Sequence, residues 1–215
     1  MEIKTFGVIG SGQMGGGIAQ VAAASGLNVI MNDINDSFVL KGMHNITSNL
    51  GRLADKGKIA QDDKEAILSR IKTSTSLQDM SQADFVVEAA TENQEIKFKI
   101  FQDLDSICQQ HTILSTNTSS IPIGRVASQT SRPEKVIGMH FMNPVPVMKL
   151  VEVIRGIATS DETFDVTWNL SIQFGKTPAQ ANDYPGFIAN RILMPMINEA
   201  VYCLYHSVGT KEDID

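Results

Sequence analysis

Residues 4–33 read KTFGVIGSGQMGGGIAQVAAASGLNVIMND, and this stretch decides the fold. Its first six residues form a short, β-rich apolar run that ends in glycine, as a buried parallel strand does. Residues 13–24 are rich in Ala, Met and Ile and predict a helix that stops at Ser25-Gly26. Residues 28–31 predict a second strand. Together these segments form a β-α-β unit of about 30 residues, the size typical of that motif.

The turn between this strand and this helix reads GSGQMG at residues 10–15 and matches the dinucleotide-binding pattern GxGxxG. The pattern alone is weak, but its place between a strand and a helix makes it specific. Its glycines permit the tight turn, the approach of a pyrophosphate and close helix packing, and the helix N-terminus offers N–H groups to phosphates. A purely structural turn is the alternative. We expect the cofactor to contact Gly10, Gly12, Gln13, Met14 and Gly15.

Asp33 follows the second strand and indicates which dinucleotide binds. Its carboxylate can accept hydrogen bonds from the ribose hydroxyls of adenosine, and it would repel a 2′-phosphate. No Arg follows at Ile34 or Asn35, so NAD is favoured over NADP. A solvated acid at a strand end is the alternative, and the glycine turn by itself does not separate NAD from FAD.

Strands and helices continue to alternate along the chain. Further strands are predicted at residues 71–75, 84–88, 112–116, 135–140, 148–154 and 177–181. Helices are predicted at residues 36–56, 62–70, 94–110, 121–127 and 161–174. This alternation predicts an α/β fold with a Rossmann-type, doubly wound and mostly parallel sheet.

The pattern changes after Asp183, where the sequence continues Tyr-Pro-Gly. We therefore predict an NAD-binding domain at residues 1–183 and the start of an all-helical C-terminal domain at residues 184–215. In the second domain, residues 187–205 predict a long apolar helix that Pro195 interrupts or kinks.

The last residues predict a further helix. Thr210 is followed three residues later by an acid, as in a helix-starting capping box, yet the sequence ends at Asp215. An amphipathic helix also needs partners to cover its apolar face. From these two features we expect a C-terminally truncated chain, or one whose second domain is completed by another molecule.

Composition limits the possible partners. Hydrophobic residues make up 42% of the chain and charged residues 20%, as in an ordinary globular protein. A net charge of −6 argues against nucleic acid as a partner. Cys108 and Cys203 form no CxxC pair, which disfavours a zinc site or a disulfide framework, so no metal is expected. Neither a signal peptide nor a membrane-spanning run is recognisable, and we expect a cytoplasmic protein without a membrane partner.

Three unusual segments follow the glycine turn: STNTSS at residues 115–120, GMHFMNPVPVMKLVE at residues 138–152 and PGFIANR at residues 185–191. In open α/β sheets, ligands bind beyond the carboxyl ends of the strands. Ser119 and His140 are expected at that edge. A histidine paired with a carboxylate is a standard acid–base arrangement, although a lone histidine is equally well explained as a packed or surface residue.

These segments resemble the L-3-hydroxyacyl-CoA dehydrogenases, including the bacterial 3-hydroxybutyryl-CoA dehydrogenases, and the resemblance covers essentially the whole chain. The string His-Phe-x-Asn-Pro-x-Pro-x-Met-x-Leu-x-Glu, beginning at His140, is highly specific, as is the upstream Asn-Thr-Ser-Ser. Met142 replaces a Phe that is usual in the family, an exchange of one apolar residue for another. The resemblance implies NAD-dependent, reversible oxidation of a short-chain L-3-hydroxyacyl-CoA. It also implies a homo-oligomer, a dimer formed through the C-terminal helices in the family.

The resemblance further implies catalytic roles. His140 corresponds to the base that takes the proton of the 3-hydroxyl, and Glu152 to its partner, which fixes the imidazole tautomer. Ser119 and Asn190 correspond to polar groups that orient the substrate oxygens. Other readings remain open: Ser119 as a helix cap before Pro122, Glu152 as a surface carboxylate, and Asn190 as a structural residue.

Binding roles are implied in the same way. Glu92, Lys97 and Asn143, together with Ser119, match positions that contact the cofactor in the family. Lys56 matches a lysine that meets the CoA phosphates, and Asn49 stands where some members have a CoA-binding Ser. Lys56 as a plain charge at a helix C-terminus is the alternative. For the chain as a whole, an NAD-binding module without turnover and a dehydrogenase of another hydroxy acid remain alternatives.

Overall fold

The computed structural model describes all 215 residues and contains one sheet of eight strands. The strands are β1 (Thr5–Ile9), β2 (Asn28–Asn32), β3 (Ile71–Ser74), β4 (Phe85–Glu88), β5 (Ile113–Thr116), β6 (Val136–Phe141), β7 (Leu150–Arg155) and β8 (Thr177–Asn182). The helices are α1 (Gln13–Ala24), α2 (Asp36–Asp55), α3 (Gln61–Ser69), α4 (Gln94–Ile107), α5 (Ile123–Ala127), α6 (Asp161–Gln173), α7 (Ala189–Tyr205) and α8 (Lys211–Ile214). Each strand and helix predicted from the sequence is present, with bounds shifted by about three residues at most.

The strand order is β3-β2-β1-β4-β5-β6-β7-β8, and all neighbours are parallel except β6 and β7. The order turns back at β1, which pairs with β2 on one side and β4 on the other. Such a switch point opens a crevice at the carboxyl ends of the strands, where ligands of doubly wound sheets bind. The predicted Rossmann-type, mostly parallel sheet is thereby confirmed.

Both faces of the sheet are buried. In β1, Phe6 and Val8 belong to the apolar cluster on one face, while Ile9 belongs to the cluster on the other. In β4, Val87 and Val86 divide between the same two clusters. Side chains alternate between the faces of a strand, so a strand covered on both sides needs apolar residues at every position.

The antiparallel pair β6 and β7 sets the geometry of the site. The connection between them, residues 142–149, contains no helix, whereas parallel neighbours need a crossover of a dozen or more residues. In the resulting register His140 lies directly opposite Glu152. Directly opposite side chains share one face of a sheet, so the pairing of these strands brings the imidazole and the carboxylate together.

The C-terminal part is helical. The helix α7 is continuous across Pro195, so the predicted interruption does not occur there. None of its residues is buried, and large apolar side chains such as Ile192, Met196 and Val201 are exposed. Thr210 caps α8 by accepting a hydrogen bond from the Asp213 N–H at 3.3 Å, as predicted. None of the helices combines the length and apolar character that crossing a membrane requires.

Candidate active site

The glycine turn joins β1 to α1 with little room to spare. Gly10 has φ 97°, in the left-handed region that favours glycine. A Cβ on Gly15 would lie 1.9 Å from the carbonyl oxygen of Gly10, so the close packing predicted at this position is present. A Cβ on Gly12 would meet nothing within 4 Å, and no side chain caps α1. The face of the turn at Gly12 and the first N–H groups of α1 are therefore open to a ligand.

Asp33 is fixed by the same turn. Its Oδ2 accepts hydrogen bonds from the N–H and the hydroxyl of Ser11, both at 2.7 Å. Its Oδ1 accepts one from the N–H of Ile34 at 2.8 Å. Gly42 of α2 packs closely against Ser11, because a Cβ at position 42 would lie 2.6 Å from the Ser11 carbonyl oxygen. The carboxylate is held at the rim of the crevice, and Ser11 and Gly42 were not singled out from the sequence.

A cavity of about 1110 Å³ lies along the carboxyl edge of the sheet. Among the predicted binding residues it is lined by Gly10, Gly12, Gln13, Asp33, Asn49 and Asn143. Met14, Gly15, Glu92, Lys97, Ser119 and Lys56 do not line it. The cavity is large enough for a dinucleotide. Its glycine turn, its uncapped helix and its carboxylate at the end of β2 fit NAD.

His140 lies between two polar side chains. Its Nδ1 is 2.8 Å from Glu152 Oε2, and its Nε2 is 2.9 Å from Ser119 Oγ. With Glu152 ionised, the neutral imidazole carries its proton on Nδ1, which donates a hydrogen bond to the carboxylate, and Nε2 is left as the acceptor. Glu152 is 1% exposed, so its reading as a surface carboxylate is wrong.

The second carboxylate oxygen of Glu152 meets the start of α7. Its Oε1 accepts hydrogen bonds from the N–H groups of Ile188 at 2.8 Å and Ala189 at 2.9 Å. Burial is the largest influence and raises the pKa of Glu152. The hydrogen bonds from His140, Ala189 and Ile188 outweigh it and leave the pKa below the ordinary value of 4.5. The carboxylate therefore stays ionised beside the imidazole.

Two further residues lie at the start of α7, Phe187 just before the helix and Asn190 in its first turn. Phe187, at φ 48°, places its ring centroid 5.8 Å from that of His140 and is buried. Asn190 is half-buried in the first turn, and its side chain makes no hydrogen bond within the chain. No local pattern in the sequence indicated the contact of Phe187.

Ser119 does not cap α5. The first N–H groups of that helix, at Ile123 and Gly124, donate to the Asp183 carboxylate at 2.8 and 2.7 Å. The reading of Ser119 as a helix cap is therefore wrong. Asp183 was noted only as a boundary residue, because its partners lie 59 and 60 positions away along the chain.

Glu92 holds the segment that carries Ser119. Its Oε1 accepts hydrogen bonds from Thr118 Oγ1 at 2.6 Å, from the Ser119 N–H at 2.9 Å, and from the N–H and hydroxyl of Ser120 at 3.1 and 2.9 Å. Burial, the largest influence, raises the pKa of Glu92. The bonds from Thr118, Ser119 and Ser120, with the charge of Lys97, outweigh it and lower the pKa below 4.5. The carboxylate is thus a fixed acceptor for this segment.

Lys97 lies beneath the same segment. Its side chain is buried, and Nζ is 2.6 Å from Glu88 Oε2 and 3.7 Å from Glu92 Oε2. Thr116 Oγ1 donates to the same Glu88 oxygen at 2.9 Å. The Lys97 ammonium therefore contacts the carboxylates of Glu88 and Glu92, and Lys97 does not line the cavity.

Asn143 and Asn117 link neighbouring elements around the crevice. Gln13 Nε2 donates to Asn143 Oδ1 at 3.0 Å, which links α1 to the segment after β6. Asn117 Oδ1 accepts from the Phe141 N–H at 2.8 Å, a contact that sequence reasoning missed.

The two residues predicted to bind CoA lie on α2. The Asn49 amide oxygen accepts from Arg52 at 2.6 Å, while Lys56 is the exposed C-cap residue. No three His, Cys, Asp or Glu side chains come together in a way that could hold a metal ion.

Family models match both parts of the chain. The model of the NAD binding domain of 3-hydroxyacyl-CoA dehydrogenase matches residues 5–184, and that of the C-terminal domain of the same enzyme matches residues 186–215.

Individual relatives agree with the family models. The "Probable 3-hydroxybutyryl-CoA dehydrogenase" of Bacillus subtilis is 51% identical over 215 residues, which cover 100% of this chain and 75% of that protein. The 3-hydroxybutyryl-CoA dehydrogenase of Bradyrhizobium diazoefficiens is 49% identical, with 99% of this chain and 73% of that protein covered. The crystal structure of (S)-3-hydroxybutyryl-CoA dehydrogenase from Ralstonia eutropha superposes with a TM-score of 0.97 at 50% identity, covering 100% of this chain and 76% of that one.

Proposed function

This chain belongs to the 3-hydroxyacyl-CoA dehydrogenase family of NAD-dependent oxidoreductases, and we propose that His140 and Glu152 form the acid–base pair of its reaction. The substrate we propose is a short-chain L-3-hydroxyacyl-CoA, of which 3-hydroxybutyryl-CoA is the example that the relatives' names suggest. The observation that carries the assignment is the pair of contacts to the His140 ring, 2.8 Å to Glu152 and 2.9 Å to Ser119.

We propose a role for each side chain in the oxidising direction. The O–H bond of the 3-hydroxyl breaks as its proton moves to His140 Nε2, the C3–H bond breaks as a hydride leaves, and the C3–O bond becomes the ketone carbonyl. NAD, when bound, accepts that hydride. Glu152 stabilises the imidazolium that forms, in the manner of a carboxylate–histidine pair. Ser119 Oγ, beside Nε2, and Asn190, in the first turn of α7, donate to the substrate oxygens. In reduction His140 returns the proton.

The proposed cofactor contacts divide into two kinds. The glycine turn, Asp33 and Asn143 lie on the cavity and are proposed to meet NAD directly. Glu92 and Lys97 lie behind the Ser119 segment, and we propose that they act on the cofactor site through that segment. Asn49 and Lys56 on α2 are proposed to meet the CoA moiety of the substrate. The domain division at residues 183 and 184 stays a prediction.

A rate assay together with a binding assay tests the proposal. Acetoacetyl-CoA should oxidise NADH, followed as the fall of the NADH absorbance band, and calorimetry should report NADH binding to the same preparation. Binding without turnover by the folded chain would favour the alternative, a module that only holds the dinucleotide. Turnover of other 2- or 3-hydroxy acids in place of the CoA thioester would contradict the proposed substrate class.

We also propose that the chain associates with itself through α7. The exposed apolar side chains of that helix support this, because a contiguous apolar face in water favours burial against another surface. Sedimentation velocity at several protein concentrations tests it, and a single species of monomer mass at all of them would contradict it.

A further inference from the structure

Lys176 is a buried cation without an acidic partner. It precedes β8 and is 8% exposed. Its Nζ donates to the carbonyl oxygens of Val145 and Met148, the latter at 2.9 Å, and no carboxylate lies within salt-bridge distance. Burying an ammonium away from water is costly unless hydrogen bonds compensate for the lost hydration. A lysine retained here needs a reason beyond packing, since an apolar side chain of similar length would avoid that cost.

The two carbonyls belong to the segment that forms one wall of the cavity. This wall segment, residues 143–148, joins β6 to β7, and four of its residues line the cavity: Asn143, Pro144, Val145 and Pro146. The N–H groups of Val147 and Met148 both donate to the Pro144 oxygen at 3.0 Å, which closes the segment into a compact turn. Lys176 donates to two other carbonyl oxygens of the same segment, those of Val145 and Met148.

The opposite side of the wall segment is pressed against α1. A Cβ on Gly17 would lie only 2.9 Å from the Cβ of Val145, and Gln13 donates to Asn143 at 3.0 Å. The wall segment is therefore held between the helix that starts the cofactor site and the ammonium of Lys176. If the ammonium were lost, one of these two supports would be missing.

The electrostatic surroundings of Lys176 are consistent with a hydrogen-bonding role rather than charge pairing. Burial is the main cause that lowers the pKa of Lys176 below its ordinary value of 10.5, and the positive charge of Lys149 lowers it further. Lys149 itself is exposed, and its Nζ lies 3.5 Å from the Gly175 oxygen. Lys176 therefore donates to the wall segment, whereas the nearby Lys149 donates elsewhere and can serve as a control.

We propose that Lys176 is a positioning residue for cofactor binding, which holds the 143–148 wall segment against α1 so that Asn143 and Val145 form one side of the dinucleotide cavity. The inference rests on the assignment of that cavity to the cofactor. Lys176 touches neither His140 nor Ser119, so its effect falls on dinucleotide affinity and leaves proton transfer nearly unchanged.

The experiment compares Lys176→Met with Lys149→Met. Calorimetry measures the Kd of NADH, and hydrogen exchange measures the protection of the Val147 and Met148 amides. Loss of two charge-assisted hydrogen bonds should weaken NADH binding about tenfold and speed exchange at both amides. In steady state the KM for NADH should rise while kcat changes less than about twofold. Lys149→Met should bind NADH as the unmodified chain does.

The proposal is overturned if Lys176→Met binds NADH within twofold of the unmodified chain. It is also overturned if affinity falls without faster exchange at the two amides, or if Lys149→Met shows the same loss. Should Lys176→Met not fold, Lys176→Gln, which keeps a donor but reaches less far, replaces it with the same criteria. Failure of the unmodified chain to turn over acetoacetyl-CoA would count against the proposed reaction and leave this comparison of affinities intact.

Discussion

The two ends of the crevice hold a ligand by different means. At β1 and β2 the chain presents backbone: three glycines, free N–H groups of α1 and a single carboxylate. At β5, β6 and β7 it presents side chains that hold one another, with Ser119, His140 and Glu152 in a row. The first end depends on the absence of side chains at the glycines, and the second depends on the polar groups of its side chains. With the proposed roles, cofactor binding and proton transfer fall at different ends of the same sheet edge, so substitutions should affect them separately.

The largest separation is expected from His140→Ala. General acid–base catalysis contributes about 10²–10⁴-fold, so kcat should fall by that order. NADH affinity, measured by calorimetry, should change little because the glycine turn is untouched. An equal loss of affinity and kcat would show that the two ends are not independent.

The next effect is expected from Gly15→Ala, which attacks the binding end. The new Cβ would meet the Gly10 oxygen at 1.9 Å, and such overpacking costs roughly 1–3 kcal/mol. NADH affinity and the thermal midpoint should both fall. Gly12→Ala is the matched control, since its Cβ meets nothing within 4 Å. It should weaken NADH binding while the thermal midpoint of the free protein stays within a few degrees.

A smaller effect is expected from Glu92→Gln, which tests the border between the two ends. The amide cannot hold the Thr118, Ser119 and Ser120 donors as a carboxylate does, so Ser119 should loosen and kcat should fall about tenfold. If Glu92 acts instead as a direct cofactor contact, the Kd of NADH should rise and kcat should hold. Stopped-flow single turnover with bound NADH separates the two outcomes.

The smallest effect is a dependence of stability on pH. The pKa of Glu152 is lowered in the folded chain, so its contribution to stability is complete above the unfolded pKa, near 4.5. That contribution is lost as pH falls through the lower folded pKa. We therefore measure the midpoint of thermal unfolding at several pH values between 7 and 3. Below pH 4.5 this midpoint should fall less with decreasing pH for Glu152→Gln than for the unmodified chain. Identical profiles would mean that the carboxylate is not stabilised in the folded state.

The backbone end of the crevice was the easier one to predict. A strand, a glycine turn, a helix and an acid within residues 4–33 identify it because each signal is local. The helix and strand bounds elsewhere followed for the same reason. At the side-chain end, the strand assignment predicted Ser119 and His140 at the sheet edge, but the pairing of His140 with Glu152 came only from the resemblance. The two residues meet through the register of two antiparallel strands, and spacing along the chain does not fix a register.

Contacts across long separations escaped prediction altogether. Asp183 caps α5 from 59 positions away, and Lys176 reaches a segment about 30 residues earlier. Glu92 was singled out for the cofactor, yet four donors of the Ser119 segment converge on one of its oxygens. The identity of a charged residue in the sequence does not indicate whether its side chain faces solvent, a ligand or the backbone. Only its three-dimensional surroundings distinguish these roles.

Glu152 has one oxygen on His140 and the other on the first N–H groups of α7. Because one carboxylate accepts hydrogen bonds from both, the orientation of the imidazole depends on the position of that helix start. A change that displaces the start of α7 therefore also displaces the carboxylate that orients the imidazole. The helical part of the chain is in this way joined to the proposed acid–base group by one side chain.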